Sequence, residues 1–175
     1  MEVMCKIAGT MCVVGSAWLY AKERAYVMEL CLSQLMQLYS ILIQLKSELQ
    51  YMNTTLPECF VNLAGHVNPP FDKWLYGMAD EMNNERKKSF GDIWVEYIGF
   101  LRQDSQLGDS AIDILTELKD KLGEADVAAS LKAIDYVLIR IEEERESLKN
   151  EIQQRKKVIL SLSLFAGFVV VILLF

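Results

Sequence analysis

The sequence predicts an all-α fold, a six-helix antiparallel bundle between two terminal transmembrane helices. Three observations carry that expectation. Apolar residues recur in alternating threes and fours through Met28, Cys31, Leu35, Leu38, Leu42, Leu45, Leu49 and Met52, the period of one helix face. They do so again through Val127, Leu131, Ile134, Leu138, Ile141, Leu148 and Ile152, skipping only Arg145. No segment alternates with a period of two between hairpin turns. The chain also closes with an uncharged stretch, Val158 to Phe175, whose only polar side chains are Ser161 and Ser163. Roughly 17–25 such residues cross a bilayer as a helix.

The elements follow in order. Ile7 to Tyr20 is apolar but holds Gly9, Thr10, Gly15 and Ser16, and Gly15-Ser16-Ala17 is a passable small-residue cleavage site for a signal peptide. Trp18, Leu19 and Tyr20 prolong the run past that site, and Trp and Tyr favour the membrane interface, so residues 1–21 read as an uncleaved anchor. A long helix from Lys22 to Met52 is next, and Leu32, Met36, Tyr39 and Ile43 widen its stripe enough to predict burial on more than one side. Thr55 can cap a helix that carries Pro57 in its first turn and ends near Gly65-His66. Pro69-Pro70 forces a corner, and Phe71, Trp74, Leu75 and Met78 then share a face until Asn83-Asn84. Ser89 or Asp92 caps the next helix, with Ile93, Trp94, Tyr97, Ile98 and Leu101 at helical spacing. Gly108-Asp109-Ser110 breaks the chain, and Ile112, Leu115, Leu118 and Leu122 carry a fifth helix towards Gly123 as its C-cap. The sixth runs from Glu124 to Lys157, with no Pro and no internal Gly. At 1.5 Å per residue the two long helices measure about 46 and 51 Å, so they read as two antiparallel columns rooted in one membrane.

Charge orients this architecture. Lys22, Arg24, Arg155, Lys156 and Lys157 lie on the side of the intervening domain, residues 22–157, and only Lys6 lies beyond the first anchor. The positive-inside rule therefore places that domain in the cytoplasm, with the second anchor over residues 158–175. Trp18, Tyr20 and those five basic residues form the expected membrane-interface set, where each cation near anionic headgroups contributes about 1 kcal/mol.

Composition narrows the chemistry. A net charge of -6, with basic residues mostly among acidic ones, argues against nucleic-acid binding. Cys5, Cys12, Cys31 and Cys59 lack CxxC spacing and a nearby His pair, so they read as reduced, buried thiols and no metal site is expected. His66, the only histidine, sits where it can satisfy helix-terminal carbonyls and has no triad partner at motif spacing. There is no GxSxG elbow and no Gly-rich phosphate loop, so neither an enzyme nor a cofactor is expected. Trp74 and Trp94 read as core anchors. Two charged runs are candidate partner-binding sites: Arg86, Lys87 and Lys88 in a loop distal to the membrane, and Glu142, Glu143, Glu144 and Glu146 on the last helix. Glu142 and Glu146 are alike, as are Arg145 and Lys149, so pairing at i, i+4 does not account for the second run. Arg145 itself is where a buried polar contact between the columns is expected.

The complete pattern resembles the stage III sporulation protein AB family. The resemblance rests on the short anchor followed by Lys22-Glu23-Arg24, on Leu49 to Glu58 with Tyr51, Thr55, Leu56 and Pro57, and on Leu122-Gly123, Asp126, Ile134 and the basic-then-apolar tail. Lys119 stands where the family commonly has Gly, and Ser130 where it has Gln. The resemblance implies a cytoplasmic domain similar to the F-type platform proteins of type II secretion systems. It implies a scaffold in the channel between mother cell and forespore, located in the mother-cell membrane around the forespore. The partners implied are membrane lipid, a cytoplasmic secretion-type ATPase of the sporulation operon and other membrane subunits of the channel, with self-association left open. The alternative from the residues alone is a tail-anchored coiled-coil adaptor.

Overall fold

The first helix, α1 (Glu2–Tyr51), runs without interruption through both the apolar amino-terminal stretch and the first predicted column. It contains no Pro, and Gly9 and Gly15 lie within it without breaking the helix. The structure, a computed structural model, describes residues 2–51, 55–84, 88–122 and 127–174. Side chains of residues 2–14, 16–18, 20, 21, 160 and 162–174 lie outside that description.

After α1 come α2 (Leu56–Ala64), α3 (Phe71–Asn83), α4 (Phe90–Asp104), α5 (Asp109–Thr116), a short 3-10 helix (Glu117–Asp120) and α6 (Val127–Leu174). The described residues are all-α, as the sequence predicts, with no strand among them. Two units divide the chain: residues 1–30 with 150–175, and residues 31–149.

The caps show why the short helices begin where they do. Thr55 and Glu58 form a capping box at α2, the Glu58 carboxylate accepting the Thr55 N–H at 3.1 Å, with Pro57 in the first turn. These bonds hold the Glu58 carboxyl below its ordinary range. Ser89, not Asp92, is the N-cap of α4: its Oγ accepts the Asp92 N–H at 3.2 Å and donates to the Asp92 carboxylate at 2.7 Å. The Pro69-Pro70 bond is cis and Pro70 caps α3. The fifth helix is shorter than the sequence suggests. It narrows to the 3-10 turn after Thr116, whose hydroxyl bonds back to the Ile112 carbonyl at 2.9 Å. The expected C-cap, Gly123, lies outside the described residues.

In the unit 31–149, α1 contributes Leu35, Leu38, Ile41, Leu42 and Leu45 to the core, and α6 contributes Ile134, Val137, Leu138 and Ile141. Cys31 feels the charge of Glu144 and Lys46 ion-pairs with Asp135, so the two helices run antiparallel there, as predicted. Aromatic rings fill the space between α2, α3 and α4. Trp94 lies 5.5 Å from Trp74 and 6.5 Å from Phe60, and its indole N–H donates to the Leu115 carbonyl at 2.9 Å. Both tryptophans are core anchors. Gly77 admits Tyr97 against α3, since a Cβ at Gly77 would meet the Tyr97 ring at 2.3 Å.

Three expectations need correction. Of the four residues that widen the α1 stripe, Leu32 and Tyr39 are half-buried, Tyr39 against the core, but Met36 and Ile43 are 46% and 44% exposed, so the fully buried arc is the narrower 35/38/41/42/45 set. Periodicity marks an apolar surface but does not require every part of it to be covered. Val127 is likewise exposed, and the core seam of α6 starts with Ser130, whose hydroxyl donates to the Lys121 carbonyl at 2.8 Å. Arg145 makes no buried bridge between columns. It is partly exposed and pairs with Glu142 on its own helix, one turn away.

Among the described residues, one helical stretch, Lys22–Tyr51, holds an 18-residue segment of mean hydropathy 1.3, long and apolar enough to cross a membrane. Five of its side chains, from Leu35 to Leu45, are at most 1% exposed within the protein core, which is the commitment of a core helix rather than of a lipid-facing span.

Candidate functional site

The basic girdle predicted at the membrane interface falls in the unit built from residues 1–30 and 150–175. Lys22, Arg24, Arg155, Lys156 and Lys157 are all exposed there. The Arg155 guanidinium holds the Glu151 carboxylate at 2.7 Å, one turn back on α6. Lys156 reaches across to Glu29 of α1 at 2.8 Å. Glu151 stands at i, i+4 to Arg155, a spacing visible in the sequence, whereas the pairing of Lys156 with Glu29, 127 positions away, leaves no local signal. The side chains of Trp18 and Tyr20 lie outside the described residues. Exposed ion pairs of this kind contribute about 0–1 kcal/mol each, so the cations exchange partners at little cost.

The charged run at residues 86–88 is represented by Lys88 alone, since Arg86 and Lys87 lie outside the described residues. Lys88 is engaged rather than projecting: its ammonium lies 2.7 Å from Glu96 of α4 and 3.1 Å from Glu81 of α3. Those two carboxylates raise its pKa above the ordinary lysine value, the Glu96 hydrogen bond contributing most. The residue clasps two helices, a role invisible to a reading that saw only the run of like charge.

The acidic run on α6 does not present one face. Glu143 and Glu146 are exposed, Glu142 is paired with Arg145, and Glu144 accepts a 2.9 Å hydrogen bond from Ser110 at the start of α5. The pairing at i, i+3 supplies what the i, i+4 spacing lacks. The four carboxylates therefore divide into two structural and two solvent-facing groups.

The chemically suggestive residues have structural roles. His66 donates from Nδ1 to the Asn62 carbonyl at 2.9 Å, one turn back at the end of α2. Cys31 is half-buried and Cys59 buried, both as thiols outside any disulfide. Burial pushes the Cys31 thiol up, with Glu144 adding to the effect and a hydrogen bond from the Gly108 backbone opposing it. A thiol held protonated is a poor nucleophile. Among the described residues no group of three His, Cys, Asp or Glu side chains could hold a metal ion.

Known proteins give the arrangement a context. A family model for stage III sporulation protein AB matches residues 6–175. A solved structure of stage III sporulation protein AB (SpoIIIAB) superimposes with a TM-score of 0.65 at 19% identity, covering 71% of this chain and 97% of that one. No curated protein matches the chain.

Proposed function

The chain belongs to the stage III sporulation protein AB family, and from that premise we propose that it is a membrane-anchored scaffold of the channel between mother cell and forespore. The observation that carries the reading is the extent of the family match, which runs from residue 6 to residue 175 and so includes both apolar ends. The family is one of structural sporulation proteins and not a known enzyme family, in keeping with the structural roles of His66 and the two described cysteines.

The finer picture has three parts. Residues 1–21 and 158–175 anchor the chain, with the backbone helical through residues 2–21 and 158–174. Residues 22–157 face the cytoplasm of the mother cell, on the side where Lys22, Arg24, Arg155, Lys156 and Lys157 cluster. The domain acts as a platform, similar to the F-type proteins of type II secretion, for a cytoplasmic secretion-type ATPase and neighbouring membrane subunits. Arg86 and Lys87, which fall in the sequence between α3 and α4, with Glu143 and Glu146 on α6, are the charged groups offered to those partners.

Two experiments test this reading. A reporter cysteine replacing the exposed Gln103 is shielded from a membrane-impermeant thiol reagent in intact cells and reacts after permeabilisation; ready labelling of intact cells overturns the topology. Co-purification of the full chain from sporulating cells recovers the ATPase, and charge reversal at Arg86 and Lys87 lowers the yield. Unchanged recovery from that variant removes the loop from the contact.

A further inference from the structure

Within the unit formed by residues 31–149, α3 and α4 leave an open groove of about 170 Å³ between them. The buried side chains of Trp74 and Leu101 line it together with Tyr97. Phe100, whose ring packs edge-on against Tyr97 at 5.5 Å, stands at the same groove and is 52% exposed. Lys73 of α3 and Asp104, the last residue of α4, add opposite charges from the two helices. We propose that this groove is the contact between two copies of the chain related by a twofold axis. Each copy's Phe100 enters the groove of the other, and each Lys73 faces the other copy's Asp104.

Size and charge both favour a second copy. Small-ligand sites take roughly 300–1,000 Å³, more than this groove holds, whereas a cavity of roughly 150 Å³ accepts one benzene ring. A single aromatic side chain is therefore the occupant that fits, and the chain exposes one at the groove itself. Phe100 and the recess beside it supply knob and hole on one surface, which is what an isologous contact requires. The charges obey the same symmetry. A twofold operation sets the α3 side of one groove against the α4 side of the other, so Lys73 and Asp104 meet twice with opposite sign. Arg102, two residues before Asp104, is held by Asp113 at 2.9 Å, whereas among the described residues the side chains of Lys73 and Asp104 join no ion pair. Charges at the rim of an interface fix register and exclude wrong partners more than they add affinity. Aromatic rings at its centre supply the affinity, and one ring per copy makes the interface small and the association weak and reversible.

The test is sedimentation equilibrium of the full chain in density-matched detergent over a wide range of protein concentration. The expected result is a reversible equilibrium between monomer and dimer with no larger species, because an isologous contact closes on itself. Phe100→Ala weakens dimerisation about tenfold or more, the effect of losing an aromatic anchor from an interface centre. Val95→Ala, which trims an exposed apolar residue of α4 outside the groove, leaves it unchanged. Lys73→Glu and Asp104→Lys each weaken it about fivefold or more, since every dimer then carries two like-charged contacts in place of two attractive ones. The double variant Lys73→Glu/Asp104→Lys restores the attraction and returns to within about twofold of the parent. Circular dichroism checks that each variant keeps its helicity, and the two exposed charge changes carry the test by themselves if Phe100→Ala does not fold. A chain that stays monomeric throughout the range overturns the proposal and leaves the groove to an aromatic side chain of another protein. A dimer undiminished by Phe100→Ala, or a double charge variant no better than the single ones, overturns the groove as the contact between copies.

Discussion

Gly77 is the residue at which packing leaves least freedom. Because a Cβ there would lie 2.3 Å from the Tyr97 ring, Gly77→Ala must displace that ring from between α3 and α4. Overpacking of this kind costs about 1–3 kcal/mol, measurable as a lower midpoint in urea unfolding followed by circular dichroism. Trp94→Phe keeps most of the ring but removes the indole N–H that donates to the Leu115 carbonyl at 2.9 Å, leaving that carbonyl to the Glu117 N–H. The expected loss for one such hydrogen bond is about 0.5–1.5 kcal/mol in the same measurement. Glu58 adds a pH dependence. Its folded pKa is depressed, first by the Thr55 backbone hydrogen bond and then by the Thr55 side chain, so its contribution is complete above the ordinary glutamate range. That contribution disappears as the pH falls through the lowered value. Thermal melts of Glu58→Gln should therefore lie below the parent near neutrality and converge on it in acid.

The helices differ in how much of their role could be read from sequence. Caps were legible because they need particular residues at particular offsets: Thr55 and Pro57 at α2, Ser89 at α4, and Asn84 at the end of α3, whereas the reciprocal bond from Glu58 came only with the structure. The long columns were legible as helices from their period, and the antiparallel course of α1 and α6 within residues 31–149 followed from their matched lengths. The centre of the buried arc of α1 was legible in Leu35, Leu38, Leu42 and Leu45, but its edge was not, since Met36 and Ile43 are as apolar as Leu38 and Leu42 and are exposed. The ion pairs were hidden for a related reason. Lys46–Asp135, Lys88–Glu96 and Glu29–Lys156 join residues whose proximity exists only once the chain is folded. Burial and charge make opposite claims about what holds α1 to α6. Leu42→Ala should cost about 2–5 kcal/mol, because the side chain is fully buried. Lys46→Ala should cost less than about 1 kcal/mol, because its pair with Asp135 is partly exposed. Comparable losses in the two variants would mean that the ion pair, not the apolar seam, sets the stability of this contact.

For the whole molecule, the chemically suggestive side chains among the described residues have structural roles. His66 caps a helix, Cys59 is buried, and burial keeps Cys31 protonated, while the charged surface is divided among clasps and solvent-facing carboxylates. What remains is a helical domain between two apolar ends, in a family of stage III sporulation proteins. The measurement that tests the scaffold reading most directly is complementation of a deletion strain with the full chain and with a chain lacking residues 158–175. The account predicts normal vegetative growth, arrest of spore formation after engulfment in the deletion, rescue by the full chain and none by the truncated one. A growth defect without a sporulation defect, or full rescue by a stably accumulated truncated chain, would contradict it.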